Sequence, residues 1–418
     1  MDSVPNAART AEWRVIAPML VIVLFVMCGM GMVIPVLSLY AQSFGVGPAL
    51  IGLIITVFGV ARLFVNLPAG ILADRYGRRA LLWGGPLVLG GASIAAALAE
   101  DFAVLLVWRF VQGVGSGLYM TGAMVAIADL GDSRSRGRRM GAYQTALLTG
   151  ASIGPLMGGL LAERWGYTAP FWGFAAVSGL AALFAFLALP ETRRPANANA
   201  NANAGADTRP PERGGVRDLL RQRGYAPVLL VTFGVFFTRT AAQWQLIPLV
   251  AAHRFGMAPD AIGLALTLSA GVTLVTTPLA GWLADRVPRR GLIVASAASV
   301  AVALGLIAAC PTLPLFWGAL ALLGLALGLG GPASSAFAAG CAPDGRLGPT
   351  LGLLRTAGDV GFVAGPLVAG FAVAVSDTAF GGGEAAGLFV NAALMAIAAA
   401  AFAAGTHRLS PLPKETTA

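Results

Sequence analysis

Two stretches of this 418-residue sequence decide its fold: GILADRYGRR at residues 70–79 and GWLADRVPRR at residues 281–290. The second stretch starts at residue 281, which is 211 positions after residue 70. The same offset pairs further segments, namely Phe44-Gly45 with Phe255-Gly256 and Gly154-Pro155 with Gly365-Pro366. One register that keeps charged, aromatic and proline positions indicates an internal repeat. The second half of the chain therefore repeats the first.

The composition places this repeat in a lipid bilayer. Hydrophobic residues make up 57% of the chain and charged residues only 11%, which is more apolar than one soluble core accommodates. Apolar runs of about 20 residues, the length that crosses a bilayer, recur from near Val15 to near Gly405, and we count twelve. The sequence predicts an all-α membrane protein with twelve transmembrane helices in two pseudo-symmetric six-helix bundles. With the two loop stretches quoted above, this organisation resembles the major facilitator fold.

A polar stretch separates the two predicted bundles. It is rich in arginine and in alternating Ala and Asn, a composition typical of a flexible linker. We predict an N-terminal bundle over residues 1–189, a cytoplasmic linker over 190–225, and a C-terminal bundle with a short cytoplasmic tail over 226–418. Around Val216 to Arg223 two alternatives stay open: a short amphipathic helix on the membrane surface, or more flexible linker.

The net charge of +9 follows membrane topology rather than indicating nucleic acid. If the N-terminus is cytoplasmic, most of the Lys and Arg residues fall in cytoplasmic segments, and Arg164 and Arg254 fall on the other side. This is the positive-inside pattern. It predicts a multi-pass protein of the plasma membrane (the bacterial inner membrane) with both termini in the cytoplasm, and a lipid bilayer rather than a nucleic acid as its surroundings.

Residues 70–79 resemble the signature loop of the major facilitator superfamily, and residues 281–290 match it in the second half. Glycine at these positions lets two helices approach and the chain turn tightly. In that family the loop forms a cytoplasmic gate with an acid at the end of span four, where Asp129 stands. The resemblance implies this set of gate residues: Gly70, Asp74, Arg75, Gly77, Arg78, Asp129, Gly281, Asp285 and Arg286. Because Gly340 stands 211 positions after Asp129 and Pro288 replaces the loop's second glycine, we expect an asymmetric gate in which the first half dominates.

Two further segments extend the resemblance. WRFVQGVG at residues 108–115 is similar to the family's second motif, whose arginine, here Arg109, is linked to proton transfer. A guanidinium in lipid is costly and persists where it faces a cavity or an acid. Span five is similar to the motif of proton-driven exporters, including tetracycline and multidrug antiporters, through Gly150, Gly154, Pro155, Gly158 and Gly159. Small residues at this spacing also allow ordinary close helix packing, which remains the alternative.

Few charged residues lie inside the predicted spans. They are Arg62, Arg109, Arg239, Arg355 and one acid, Asp359. Arg355 and Asp359 are four residues apart, so they share a helix face and can pair. Asp359 is either the carrier of the coupled proton, together with Arg109, or only the partner of Arg355. The residues predicted to line a substrate cavity are Arg62, Asn66, Gln112, Arg239, Gln243 and Arg355.

These patterns favour a proton-coupled secondary transporter that exports small organic molecules or drugs by alternating access, acting as an antiporter. An alternative is a proton-linked importer of an anionic metabolite, which is favoured by the arginine excess and by Cys28 and its apolar neighbours where tetracycline-type exporters often carry an acid. A transport-inactive membrane sensor is a remote alternative. No phosphate-binding loop of the GxxxxGK[ST] type occurs, and the three cysteines are scattered. We therefore expect no cofactor, no metal and no enzymatic activity, with a small-molecule substrate and protons as partners of a monomer.

Overall fold

A computed structural model of the chain describes residues 6–129, 136–189, 216–343, 346–380 and 383–407. Within these ranges the regular secondary structure is helical, and twelve helices are long and apolar enough to cross a membrane. Lipid offers no hydrogen bonds to backbone groups, so each apolar run satisfies its own N–H and C=O groups as a helix. The predicted all-α fold with twelve spans is confirmed.

The twelve helices are numbered in chain order. In the first half they are α1 (Asn6–Gln42), α2 (Pro48–Tyr76), α3 (Arg78–Ala97), α4 (Phe102–Asp129), α5 (Arg136–Trp165) and α6 (Ala169–Ala188). In the second half they are α7 (Tyr225–Phe255), α8 (Pro259–Arg286), α9 (Arg289–Ala309), α10 (Leu313–Gly340), α11 (Leu347–Phe380) and α12 (Gly383–Gly405). The helix α7 is composite, with α-helical Tyr225–Thr238, π-helical Arg239–Leu246 and α-helical Ile247–Phe255.

A short helix, Val216–Leu220, precedes α7 and is called the linker helix below. Val216 and Leu220 are exposed on it, while Leu219 is buried. Of the two alternatives for this segment, the helical one therefore holds over these five residues. Its position on the membrane surface stays a prediction.

The repeat is visible in the backbone and in the packing. Gly45 and Gly256, which stand 211 positions apart, both have positive φ, at 73° and 61°. In the first half α1 packs on α5, and α3 packs on α4 and α6. The same pairs recur in the second half, where α7 packs on α11, and α9 packs on α10 and α12. Equivalent positions thus perform the same structural role twice.

Contacts between Cα atoms divide the chain into two compact units. One comprises Met1–Ala202 with Ala251–Ala270, and the other comprises Asn203–Val250 with Gly271–Ala418. The end of α7 and the start of α8 thus belong to the first unit. The predicted domain boundaries at 189 and 226 stay a prediction.

Several large apolar side chains lie on the outer faces of the helices. Phe64 is 70% exposed, Leu187 is 72% exposed and Phe371 is 67% exposed. In water such side chains would be unfavourable, but lipid tails are as apolar as the side chains themselves. These faces suit a membrane, and the polar side chains described next lie inside.

Candidate transport site

Arg109 lies on the buried face of α4, only 4% exposed. Its Nη1 donates a hydrogen bond to Gln112 Oε1 at 2.6 Å, and its Nε donates to the carbonyl of Ile54 at 3.4 Å. The guanidinium carbon stands 4.9 Å from the ring centre of Phe58 on α2. These partners are all neutral, and no acidic side chain of the described residues pairs with Arg109. The first half therefore holds a buried cation that is solvated by neutral dipoles and an aromatic face.

The hydrogen bonds of Arg109 continue into α3 through Gln112. Gln112 Nε2 donates to Ser93 Oγ at 2.8 Å, and Ser93 Oγ donates to the carbonyl of Leu89 at 2.7 Å. Gln112 and Ser93 are both fully buried. An amide whose oxygen accepts from a cation and whose nitrogen donates to a hydroxyl has a single orientation. Gln112 therefore fixes the position of the guanidinium, and its predicted place in a substrate cavity stays a prediction.

Two buried hydroxyls extend this polar face of α4. Ser116 Oγ and Tyr119 Oη have no hydrogen-bond partner among the described residues, and both side chains are 1% exposed. A buried hydroxyl without a partner loses about 1–3 kcal/mol, and an internal water usually satisfies such a group. The polar face of α4 therefore suits internal water next to Arg109.

The second half carries the predicted pair on α11. Arg355 Nε lies 4.0 Å from Asp359 Oδ2, and the two side chains are 46% and 12% exposed. The four-residue spacing predicts this contact. The guanidinium is thus partly exposed, while the carboxylate is largely enclosed. Whether Asp359 carries a proton stays a prediction that this geometry allows.

The π-helical segment of α7 packs next to α11 and α12, and it was not predicted from the sequence. Thr240 Oγ1 donates to the carbonyl of Phe362 on α11 at 3.1 Å, and Trp244 meets the Phe362 ring edge-on at 5.2 Å between centres. Just before the π-helical segment, Thr238 Oγ1 donates to Asn391 Oδ1 on α12 at 2.9 Å. π-Helical turns occur often at functional sites. Asn391 could have been recognised from the sequence as a candidate site residue, because it is an amide in an otherwise apolar span.

The remaining predicted cavity residues are half-buried. Arg62 and Asn66 lie one turn apart on α2, and Arg239 and Gln243 lie in the π-helical segment of α7. The first pair belongs to the first unit and the second pair to the other unit. Their role in binding substrate stays a prediction.

The two copies of the signature loop turn differently. Gly77 has φ 91° and ψ 158°, a conformation that only glycine adopts readily, and it joins α2 directly to α3. Pro288 precedes α9 with φ −54°. The predicted tight turn at Gly77 is present. A Cβ added to Gly70 or Gly281 would meet no described atom within 4 Å, and the expectation that these two glycines allow close helix approach stays a prediction.

The arginines of both loops hold helix ends together. Arg78 is buried and its Nη1 donates to the carbonyl of Ala73 at 3.1 Å. In the second copy, Arg289 Nη1 donates to the carbonyl of Ala336 on α10 at 3.2 Å. Exposed members of the loops lie near aromatic rings, Arg75 by Tyr76 and Arg286 by Trp282. The side chains of the predicted gate acids lie outside the described part of the structure: Asp74, Asp129 and Asp285.

The glycines of span five bring α5 against the backbone of α1. A Cβ added to Gly154 would stand 2.6 Å from the Cα of Gly31, and one added to Gly150 would stand 2.8 Å from Met27 Cβ. Gly158 faces the backbone of Met32 in the same way. In the second half Gly365 faces α7, because a Cβ added there would stand 2.8 Å from the carbonyl oxygen of Phe237. Close packing therefore accounts for the glycines that the two halves share.

Gly159 and Pro155 also face another helix of the same unit. A Cβ added to Gly159 would stand 3.1 Å from the Cα of Gly263 in the first turns of α8. A Cβ added to Gly263 would stand 3.1 Å from the carbonyl carbon of Pro155. The span-five motif thus places α5 between α1 and the start of α8. The helix continues through Pro155.

The family follows from the sequence match along both halves. Residues 19–245 and 228–418 match the family described as the Major Facilitator Superfamily. The chain belongs to this superfamily. It is a multi-pass membrane transporter and not an enzyme.

Relatives of this superfamily member include two bacterial resistance proteins. The chain is 26% identical over 172 residues to the quinolone resistance protein NorA of Staphylococcus aureus, which is 41% of this chain and 44% of NorA. It is 25% identical over 250 residues to multidrug resistance protein 2 of Bacillus subtilis, which is 59% of this chain and 60% of that protein. The matched region thus spans less than two thirds of either relative.

A solved structure shares the fold over nearly the whole length. The crystal structure of a bacterial homolog to the human lysosomal transporter Spinster, in an inward-facing and occupied conformation, has a TM-score of 0.80. The alignment covers 98% of this chain and 100% of that chain at 16% identity. At this identity the likeness concerns the fold alone.

Proposed function

We propose that this protein is a proton-coupled exporter of small organic molecules, an antiporter that works by alternating access. The observation that carries the proposal is the span-five motif, whose glycines seat α5 on α1 and, through Gly159, on the start of α8. The two relatives named for drug resistance support the same direction of transport. Transport of this kind places the substrate between the two repeated halves, near the middle of the membrane.

In the proposed mechanism Asp359 carries the coupled proton. The ionised carboxylate attracts Arg355, one turn earlier on α11, and protonation removes that attraction. One side chain can therefore alternate between pairing and proton carriage. A proton drives the cycle only if it binds one conformation more tightly than the other, and loss of the Arg355 contact in one state provides such a difference.

Arg109 supplies a fixed positive charge in this scheme. Its neutral hydrogen-bond partners, Gln112 and Ile54, hold the guanidinium without cancelling its charge. A fixed cation repels both a positively charged substrate and a proton in its neighbourhood. We place the protein in the bacterial inner membrane as a monomer with both termini in the cytoplasm, on the positive-inside pattern.

Import of an anionic metabolite together with protons is the second candidate. It is favoured by the excess of positive charge within the predicted spans. These spans contain one acid, Asp359, and four arginines: Arg62, Arg109, Arg239 and Arg355. The two candidates differ in the direction of transport relative to the proton, which one assay can measure.

The test is transport into inverted membrane vesicles with an imposed pH gradient. The vesicles are screened with cationic, neutral and anionic compounds of similar size. Uptake that increases when the lumen is acidic supports antiport, because protons leave as substrate enters. Substrate movement only in the direction of the proton contradicts export and supports the second candidate.

The matched variants are Asp359→Asn and Asp101→Asn. Both remove one carboxylate with little change in volume, but Asp101 is exposed and lies outside the spans, where it accepts from the N–H of Val104. We expect Asp359→Asn to abolish accumulation driven by the gradient and to keep part of substrate exchange. Asp101→Asn should leave both activities unchanged. Unchanged accumulation in Asp359→Asn would remove this residue from the mechanism.

A further inference from the structure

A cationic cavity lies at the ends of α9 and α12 in the second unit. Its volume is about 820 Å³. Three basic side chains line it: Arg223, just before α7, Arg290, in the first turn of α9, and His407, just after α12. Its apolar wall is the last two turns of α12, where the side chains are small, through Ala400, Ala403 and Ala404.

The positions of the basic groups are fixed by the fold. Arg290 Nη2 donates to the carbonyl of Ala403 at 3.0 Å, which ties the start of α9 to the end of α12. A guanidinium carries five N–H donors, so this bond leaves others for a ligand. Cys341 Sγ donates to the carbonyl of Arg223 at 3.9 Å. Burial raises the pKa of the Cys341 thiol, and the thiol therefore stays a protonated donor.

The turn after Arg223 is equally well defined. Gly224 has φ 81°, and a Cβ at this residue would stand 3.0 Å from both Phe337 and Thr406. The chain therefore turns sharply into α7 against α10 and the end of α12. No acidic side chain of the described residues pairs with Arg223, Arg290 or His407. The cavity thus concentrates positive charge that no described carboxylate balances.

The cavity lies at the depth of the membrane surface, because α9 begins and α12 ends there. Along the chain before Arg223 lie two more exposed arginines, Arg217 and Arg221, and one exposed acid, Asp218. Basic pockets between transmembrane helices at this depth match the phosphate of an acidic phospholipid. The small side chains of α12 leave room for the glycerol and the first part of an acyl chain.

We infer that the cavity formed by Arg223, Arg290 and His407 binds the headgroup phosphate of an anionic phospholipid. The guanidinium groups donate charge-assisted hydrogen bonds to the phosphate oxygens, and such bonds are among the strongest that proteins make. The bound lipid joins α9 and α12 to Arg223, which lies just before α7. This inference is independent of the direction of transport and of the coupled ion.

The experiment is native mass spectrometry of the purified full chain, titrated with short-chain lipids. Dioctanoyl phosphatidylglycerol should bind with a defined stoichiometry of one at this site, and dioctanoyl phosphatidylcholine, which has no net charge, should bind at least about tenfold more weakly, the effect of one charge-assisted contact. Inorganic phosphate at millimolar concentration should not displace the lipid. Displacement by phosphate would assign the cavity to free phosphate and overturn the lipid proposal.

The principal variant is Arg223→Gln with His407→Gln, because neither side chain holds two helices together. We expect about a tenfold loss of affinity for phosphatidylglycerol. The matched control is Arg138→Gln, an exposed arginine at the start of α5 in the first unit, which should bind the lipid as the unchanged protein does. A second variant, Arg290→Lys, keeps the positive charge but loses the planar guanidinium that can donate two parallel hydrogen bonds to a phosphate. It should bind phosphatidylglycerol with intermediate affinity. Equal binding by all variants, or equal binding of phosphatidylcholine, would overturn the proposal.

Discussion

The two halves of the molecule surround a charged side chain within a membrane span with different partners. In the first half Arg109 is closed off on α4 and its partners are neutral: Gln112, the carbonyl of Ile54 and the ring of Phe58. In the second half Asp359 has a cation on its own helix, and that cation is 46% exposed. The first arrangement surrounds one charge with neutral partners, while the second pairs two opposite charges, one of them partly exposed.

The difference falls on positions where the repeat does not match. Leu320 stands 211 positions after Arg109, and Leu148 stands 211 positions before Asp359. By contrast, matched positions perform the same task twice: Gly154 and Gly365 seat α5 and α11 on their partner helices. The repeat therefore builds two similar scaffolds, and the charged exceptions make them chemically unequal.

The largest expected effect comes from removing the fixed charge of the first half. Arg109→Met keeps an apolar side chain of similar length, but it leaves the buried Gln112 Oε1 without its donor, which costs about 1–3 kcal/mol. We expect a loss of thermal stability of that size in detergent and a fall of about 100-fold in substrate transport, the scale on which a positioned charged group acts. Transport in vesicles and a melting curve on the same preparation measure both.

The control for this prediction is Gln112→Leu, which keeps the charge and removes its closest partner. The guanidinium then loses a charge-assisted hydrogen bond, so we expect a loss of about 1.5–3 kcal/mol of stability. If Gln112→Leu, which keeps the charge, lost as much transport as Arg109→Met, the loss would follow stability rather than charge. Arg109 would then be a structural residue, and the contrast between the halves would disappear.

The second prediction compares the matched glycines. Gly154→Ala places a methyl group 2.6 Å from the Cα of Gly31, against backbone that cannot move aside easily. Gly365→Ala meets Thr240 Oγ1 at 2.7 Å, which a side-chain rotation can relieve, and also the backbone carbonyl oxygen of Phe237 at 2.8 Å. Overpacking costs about 1–3 kcal/mol. We expect Gly154→Ala to lose up to about 3 kcal/mol and Gly365→Ala to lose less, as measured by thermal unfolding in detergent.

Gly141→Ala is the control for these glycine variants, since a Cβ there meets nothing within 4 Å on the same helix, α5. In a helix this change stabilises by about 0.4–1 kcal/mol. Equal losses for Gly154→Ala and Gly365→Ala would show that the two packing sites are equivalent despite their different surroundings.

Much of the fold followed from the sequence because hydropathy reports directly on lipid. The twelve spans and the 211-residue repeat needed only apolar length and matching positions. The Arg355–Asp359 contact was predictable for a similar reason, since a four-residue spacing fixes a shared helix face without help from the rest of the fold.

What the sequence did not predict depends on contacts between helices. The π-helical segment Arg239–Leu246 has no composition that distinguishes it from an α-helix, and its register is stabilised by partners on α11 and α12, such as Phe362 and Asn391. The role of Ser93 depends on which residue of α4 faces it.

The third prediction concerns the two signature loops. Gly77→Ala forces a side chain into a backbone region that is nearly exclusive to glycine, so we expect a loss of about 1–2 kcal/mol. Pro288→Gly at the equivalent loop only adds freedom to the unfolded chain and should cost about 0.4–1 kcal/mol. Both are measured as shifts in thermal unfolding. A larger loss for Pro288→Gly would reverse the asymmetry that we expect between the loops.

The smallest expected effect tests how much the stability of the second half depends on the partly exposed Arg355–Asp359 pair. Arg355→Gln removes a guanidinium that is 46% exposed and 4.0 Å from the carboxylate. Exposed ion pairs contribute about 0–1 kcal/mol, so thermal stability should change by less than about 1 kcal/mol. The matched control is Arg254→Gln, which removes the charge of an exposed arginine at the end of α7.

A loss of about 3–5 kcal/mol in Arg355→Gln, the cost of breaking a buried ion pair, would mean that Asp359 depends on this one cation. Its surroundings would then be as closed as those of Arg109. A small loss, together with impaired proton-driven transport, would instead separate coupling from stability. In that outcome the second half contributes a pair that can open at little cost, which is the property that a proton-dependent step needs and that the closed site of the first half lacks.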